Sequence, residues 1–101
     1  MPKAYWIGHV DVSNPEGYKA YVAANAEPLR KYGAKFLVRG GQYECPEGKT
    51  RSRNVVIEFK DYETALACYR SSEYQKAIAL REPHSQADIM IIEGYDGAQP
   101  G

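Results

Sequence analysis

His9 stands mid-way along a segment in which Tyr5, Ile7, His9 and Asp11 alternate with Ala4, Trp6, Gly8, Val10 and Val12. An imidazole titrates near neutrality and suits proton transfer. A lone strand histidine also serves as a hydrogen-bonded core or interface residue, and both readings stay open at this point. Arg39 and Glu58 lie in two later apolar segments. A guanidinium there can bind a substrate carboxylate or stabilise an enolate, while a carboxyl of raised pKa moves a proton. The same two residues can instead form a buried structural ion pair at an interface. His9, Arg39 and Glu58 are thus the catalytic candidates, and Tyr5 and Glu93 join them as ligand-binding candidates if each strand turns an ionisable or polar group to one surface. Ser72, Tyr74 and Arg81 form a separate ligand-binding set. They sit where a helix is interrupted, and such breaks free backbone N–H groups that can receive an anion. The alternatives are a core tyrosine and a surface ion pair.

These residues need elements to hold them. The alternation over 3–12 has a period of two and predicts a strand. Asn14-Pro15-Glu16 supplies a capping side chain, a proline for the first helical position and an acid in the first turn. Tyr18, Tyr21, Val22, Leu29 and Tyr32 then recur at near-helical spacing before Gly33, which predicts a first helix over 15–32, kinked or broken near Asn25 to Glu27 by Pro28. Residues 34–41 and 53–60 read as a hairpin with a long loop, and a cross-strand pair of Arg39 with Glu58 would centre it between Gly48 and Lys49. Asp61 is the expected cap of a second helix. Ser72 to Gln75 has the form of a capping box, predicting a new helical segment that Pro83 closes. Residues 87–95 form the last expected strand. The order β-α-β-β-α-β is the split unit of the ferredoxin-like fold: an α+β domain with one four-stranded antiparallel sheet and both helices on one face. It should span 1–96, with 97–101 a flexible Gly/Pro tail.

The other sheet face then has no cover. Leu37, Val56, Ile89, Ile91 and Tyr95 on that face would form an exposed apolar patch, and pairing with a second copy is the natural remedy.

The 101 residues carry 13 Lys plus Arg against 13 Asp plus Glu, so no net charge favours nucleic acid or an anionic membrane. RNA binding on an open sheet would also need paired aromatics in the third strand, where only Phe59 stands. No apolar run is long enough to span a membrane. Cys45 and Cys68 lack metal-ligand spacing, so no metal is expected. A disulfide between them is possible on parity. The start of the chain lacks the apolar run of a secretion signal, so both are expected as thiols in a cytoplasmic protein.

The ordered segments Tyr32-Gly33-Ala34-Lys35-Phe36-Leu37-Val38-Arg39-Gly40-Gly41, Val55-Val56-Ile57-Glu58-Phe59, Tyr69 with Ser72-Glu73-Tyr74-Gln75, Leu80-Arg81, Asp88 and Ile92-Glu93-Gly94 resemble the bacterial domain-of-unknown-function 1330 family over nearly the whole chain. The resemblance implies a dimeric α/β barrel, in which two ferredoxin-like protomers face their sheets together and small-molecule pockets form between sheet and helices. It implies no particular reaction, because the wider superfamily contains cofactor-independent monooxygenases, isomerases, dehydratases and haem-binding enzymes. The expectation is a homodimer without a cofactor, either an isomerase, lyase or oxygenase acting on a small carboxylate or aromatic molecule, or a non-catalytic binding or structural dimer.

Overall fold

The computed structural model describes residues 2–101. Its elements are β1 (Ala4–Val12), α1 (Pro15–Lys31), β2 (Lys35–Arg39), β3 (Arg53–Phe59), α2 (Tyr62–Arg70), α3 (Ser72–Arg81), a short 3-10 turn at Glu82–His84 and β4 (Ser85–Glu93). The strands form one antiparallel sheet in the order β2-β3-β1-β4, which is the ferredoxin-like α+β arrangement expected from the element order.

Local chemistry explains the boundaries. Asn14 Oδ1 accepts from the Gly17 N–H at 3.2 Å, and Pro15 begins α1 where no donor is needed. Gly33 ends it at φ 69°, the left-handed conformation that glycine adopts without steric cost. The break expected at Pro28 does not occur, and α1 is continuous. Pro28 is fully buried, and its carbonyl accepts from the buried Cys68 thiol at 3.6 Å. Burial of Pro28, with its carbonyl taken by Cys68, offsets the lost helical hydrogen bond. The second helical region divides at Ser71, which leaves helical geometry with ψ 148°. Ser71 Oγ accepts from the Tyr74 N–H at 3.2 Å and donates to the Cys68 carbonyl at 2.7 Å. The cap is therefore Ser71 and not Ser72. The expected Gln75 partner instead donates from Nε2 to the Tyr69 carbonyl at 2.7 Å, reaching back across the break.

The core lies between helices and sheet. Ala4, Trp6 and Val10 of β1 and Ile57 and Phe59 of β3 are buried there. The Trp6 ring lies 5.0 Å from Phe59 and 4.8 Å from Tyr74, and its Nε1 donates to the Ala65 carbonyl at 3.0 Å. Each ring thus has a packing partner, and the one indole donor is satisfied.

Two strands correct the expected faces. In β4, Trp6 pairs with Ile91 and Gly8 with Ile89, so Ile89 and Ile91 face the helices while Met90 and Ile92 face the open side. Glu93 pairs with Ala4 and so leaves the open face as well. Ile89-Met90-Ile91-Ile92 is apolar at every position, so its period carries no phase, and pairing with β1 sets the faces. In β2 a bulge at Leu37 shifts the register: Phe36 opposes Ile57, Val38 opposes Val56 and Arg39 opposes Val55. The extra residue turns Arg39 to the helix side. Tyr95 lies beyond β4, and its hydroxyl donates to the Ala98 carbonyl at 2.6 Å. Cys45 is an exposed free thiol and Cys68 a buried one. No helix among the described residues is long and apolar enough to cross a membrane.

Candidate functional site

The sheet separates the catalytic candidates. His9 and Glu58 face the open side and Arg39 the helix side, so the anticipated Arg39–Glu58 pair does not form. Glu58 instead opposes Lys35 and accepts an ion pair from Lys3 at 3.5 Å, with Tyr5 directly across on β1.

On the open side His9 is held by its neighbours. Asn54, its partner on β3, hydrogen-bonds Nδ1 through Oδ1, and Thr50 Oγ1 lies 3.3 Å from the same nitrogen. Asn54 Nδ2 donates to the Arg51 carbonyl at 3.3 Å, which turns Oδ1 toward the imidazole. An amide oxygen only accepts, so the Asn54 contact places the proton of a neutral His9 on Nδ1 and the lone pair on Nε2. Beside it Arg51 donates to Asp88 at 2.8 Å, Asp11 at 2.9 Å and Gln86 at 3.2 Å. The Ser52 N–H and Arg51 together hold the Asp11 carboxyl below its ordinary range, and the two carboxylates raise Arg51. His9, Asp11, Thr50, Arg51 and Asp88, with Lys49, surround a cleft of about 340 Å³. The alternation in the sequence puts Asp11 on the face of His9 but gives no site role to Asp11, Asn54 or Asp88. Continuing the alternation from Glu58 through Val56 reaches Asn54, which was the legible signal.

On the helix side Arg39 joins a different group. Its guanidinium stands 4.1 Å from the Phe36 ring centre and borders, with Arg53, Tyr18, Tyr21 and Asn25, a narrow slot of about 30 Å³ between α1 and the sheet. Neither a carboxylate nor a histidine lines it. Burial raises the Tyr18 hydroxyl above its ordinary pKa despite a hydrogen bond from Arg53, so it stays a neutral phenol at neutral pH.

Tyr74 and Arg81 come together here, on the far side of Tyr21. The Tyr21 and Tyr74 hydroxyls are 2.6 Å apart, and the Arg81 guanidinium lies 5.2 Å from the Tyr21 ring centre. Burial raises the Tyr74 pKa further. Arg81 is only 6% exposed, and its Nη1 has no hydrogen-bond partner among the described residues. Ser72 is exposed and not joined to them. No cluster of three or more His, Cys, Asp or Glu side chains among the described residues could hold a metal ion.

Solved structures share this architecture. The chain is similar to RPA0582, a protein of unknown function from Rhodopseudomonas palustris, at 14% identity and TM-score 0.71, covering 95% of this chain and 85% of that one. It is similar to SnoaB, a cofactor-independent oxygenase from Streptomyces nogalater, at 11% identity and TM-score 0.65, covering 99% and 97%. A dimeric protein of unknown function and ferredoxin-like fold from Bacteroides fragilis shares 13% identity at TM-score 0.56, covering 93% and 98%. At these identities the likeness is one of fold. No curated protein matches the sequence. A family model does match residues 3–95, and the chain belongs to the family defined by it, the domain of unknown function DUF1330.

Proposed function

We propose that the protein is a homodimer that binds a small carboxylate or aromatic molecule in the slot between α1 and the sheet, and acts on it without a cofactor. The observation that carries this reading is electrostatic. Arg39 and Arg53 border the slot and Arg81 lies behind Tyr21, yet no carboxylate lines the slot. A bound anion supplies the missing charge, and bidentate guanidinium contacts favour a planar carboxylate, enolate or phenolate.

The same geometry suits a simple chemistry. Two guanidinium groups lower the pKa of an enol or phenol, and the neutral Tyr18 hydroxyl donates to the resulting oxyanion. The proton passes to solvent, because the slot holds no side-chain base. His9 lies across the sheet and takes no part in this step. An isomerase, lyase or oxygenase reaction can each begin from such an anion, and the SnoaB likeness supports the last as a type available to the fold.

A non-catalytic dimer is the second reading, favoured by the slot's volume of about 30 Å³. That is far below the roughly 300 Å³ of an ordinary ligand pocket, so α1 or the Arg39 side chain must move to admit a metabolite. Thermal-shift and turnover measurements with a panel of small aliphatic and aromatic carboxylates and phenols test the proposal. Stabilisation by a panel member that is abolished in Arg39→Gln/Arg53→Gln supports the slot. Consumption of that compound separates enzyme from binder. Equal ligand responses in the wild type and the double variant would remove the slot from the function.

A further inference from the structure

Tyr18, Tyr21, Asn25 and Leu29 recur along α1 at intervals of three and four residues, the spacing that keeps side chains on one face of a helix, and all four are buried. An amide is out of place on such a stripe. Asn25 is only 7% exposed, and its side chain makes no hydrogen bond to any other described residue. Among those residues, however, Arg81 Nη1 is the one fully enclosed side-chain polar atom without a partner. The Asn25 amide therefore keeps a small opening, and the space it opens on is the slot that it lines. A polar group withdrawn from water with nothing to pair it is costly, and an apolar residue would suit this position better unless a ligand completes it.

The two ends of the slot differ in kind. At one end Arg53 stands at the Tyr18 hydroxyl, and Arg39 opposes Val55, two residues further along β3. That end is cationic. From there β3 continues to Ile57, which faces Phe36, and with Val22 these residues make the lining apolar around Asn25. Asn25 follows Tyr18 by seven residues, which is two helical turns or about 10 Å along the axis. Over Phe36, the exposed Arg39 places its guanidinium 4.1 Å from the ring centre. A planar cation on that ring marks a place where a planar ligand can stack, and an exposed side chain is free to swing off it toward Arg53.

We infer that Asn25 is a specificity-determining residue of the slot and that the ligand is an aryl carboxylate bearing a hydroxyl opposite the carboxylate. This rests on the slot reading above and narrows it. The carboxylate lies between Arg39 and Arg53, and the ring takes the place of the Arg39 guanidinium on Phe36. The hydroxyl donates to Asn25 Oδ1 and accepts from Nδ2, so both halves of the amide are used. A benzene ring substituted at opposite positions suits groups two helical turns apart. A ring whose far end is apolar leaves the amide buried and unpaired, which is the stronger form of discrimination.

The experiment compares para-hydroxybenzoate with para-methylbenzoate, which match in size and carboxylate charge, by titration calorimetry at neutral pH. The proteins are the wild type, Asn25→Leu and Arg39→Gln/Arg53→Gln. The wild type should bind the hydroxyl compound about tenfold more tightly, the worth of one hydrogen bond gained against one buried group left bare. Asn25→Leu should abolish that preference while still binding the methyl compound, and the double variant should weaken both. NMR of the wild type gives a second reading that needs no variant to fold: the Asn25 side-chain NH₂ signals should shift with the hydroxyl compound and stay in place with the methyl one. A preference that survives in Asn25→Leu, or equal binding of both compounds by the wild type with no shift of those signals, overturns the role of Asn25 and leaves the slot standing. Binding of neither compound, or binding that the double variant does not weaken, overturns the aryl carboxylate and the slot reading together.

Discussion

The two faces of one sheet handle charge in opposite ways. On the open face Arg51 lies between Asp11 and Asp88, and Lys3 reaches Glu58. On the helix side Arg39, Arg53 and Arg81 surround tyrosines, and the slot they approach has no acid in its lining. A compensated guanidinium holds structure together and needs nothing further. Of the three arginines on the helix side only Arg81 is withdrawn from water, and a buried cation beside neutral phenols is costly unless something pairs with it. The comparison therefore separates the fastening of the loop, which uses the open face, from the recognition of a ligand, assigned above to the slot.

The largest effect expected is on the aromatic core that the slot backs onto. Trp6→Ala removes the ring between Phe59 and Tyr74 together with the donor to Ala65. It should cost about 3–5 kcal/mol in denaturant unfolding. A loss under about 1 kcal/mol would mean that the helix side is not the stabilising face.

Arg81 sharpens the contrast. Its Nη1 is orphaned in the core, so Arg81→Met, which keeps most of the side chain's bulk and removes the charge, should leave stability unchanged or raise it by about 1 kcal/mol. Ligand-induced stabilisation should fall at the same time. A clear destabilisation would show that the guanidinium is satisfied in solution and is no different from Arg51.

The smallest effect belongs to the open face. Asp11 has its pKa depressed below 3.8 in the folded chain, first by the Ser52 N–H and then by Arg51. A depressed carboxyl stabilises the fold above its unfolded pKa, and the contribution is lost as pH falls through the lower folded value. The Ser52 amide signal, followed by NMR during acidification, should therefore titrate with a midpoint under 3.8. A midpoint at or above that value would mean that the anchor is absent in solution.

The order of elements was legible because it rests on caps, glycines and periodicity that act locally. Asn14, Gly33 and Asp61 each end or begin an element where expected. The face of β1 was legible too, because Trp6 and Val10 contrast with His9 and Asp11. The candidate site was less so. Its joint reading needed Arg39, Glu58, Glu93 and His9 on one side, which is a statement about register between strands. Ile89 to Ile92 offer no polar contrast from which to read a phase, and the irregularity at Leu37 is invisible in the alternation of Lys35, Leu37 and Arg39. The burial of Arg81 was illegible for a different reason. An arginine late in a helix reads as a surface cation, and its burial depends on Tyr21 arriving from α1.

The bulge has an evolutionary side. Without Leu37, β2 could pair as a regular strand with Val38 still opposite Val56 and Arg39 still opposite Val55. The irregularity thus absorbs one codon and leaves the side-chain phase beyond it untouched. Lineages that gain or lose a residue at this point can keep the guanidinium over the slot, so a gap at position 37 between relatives would not mark a change of ligand.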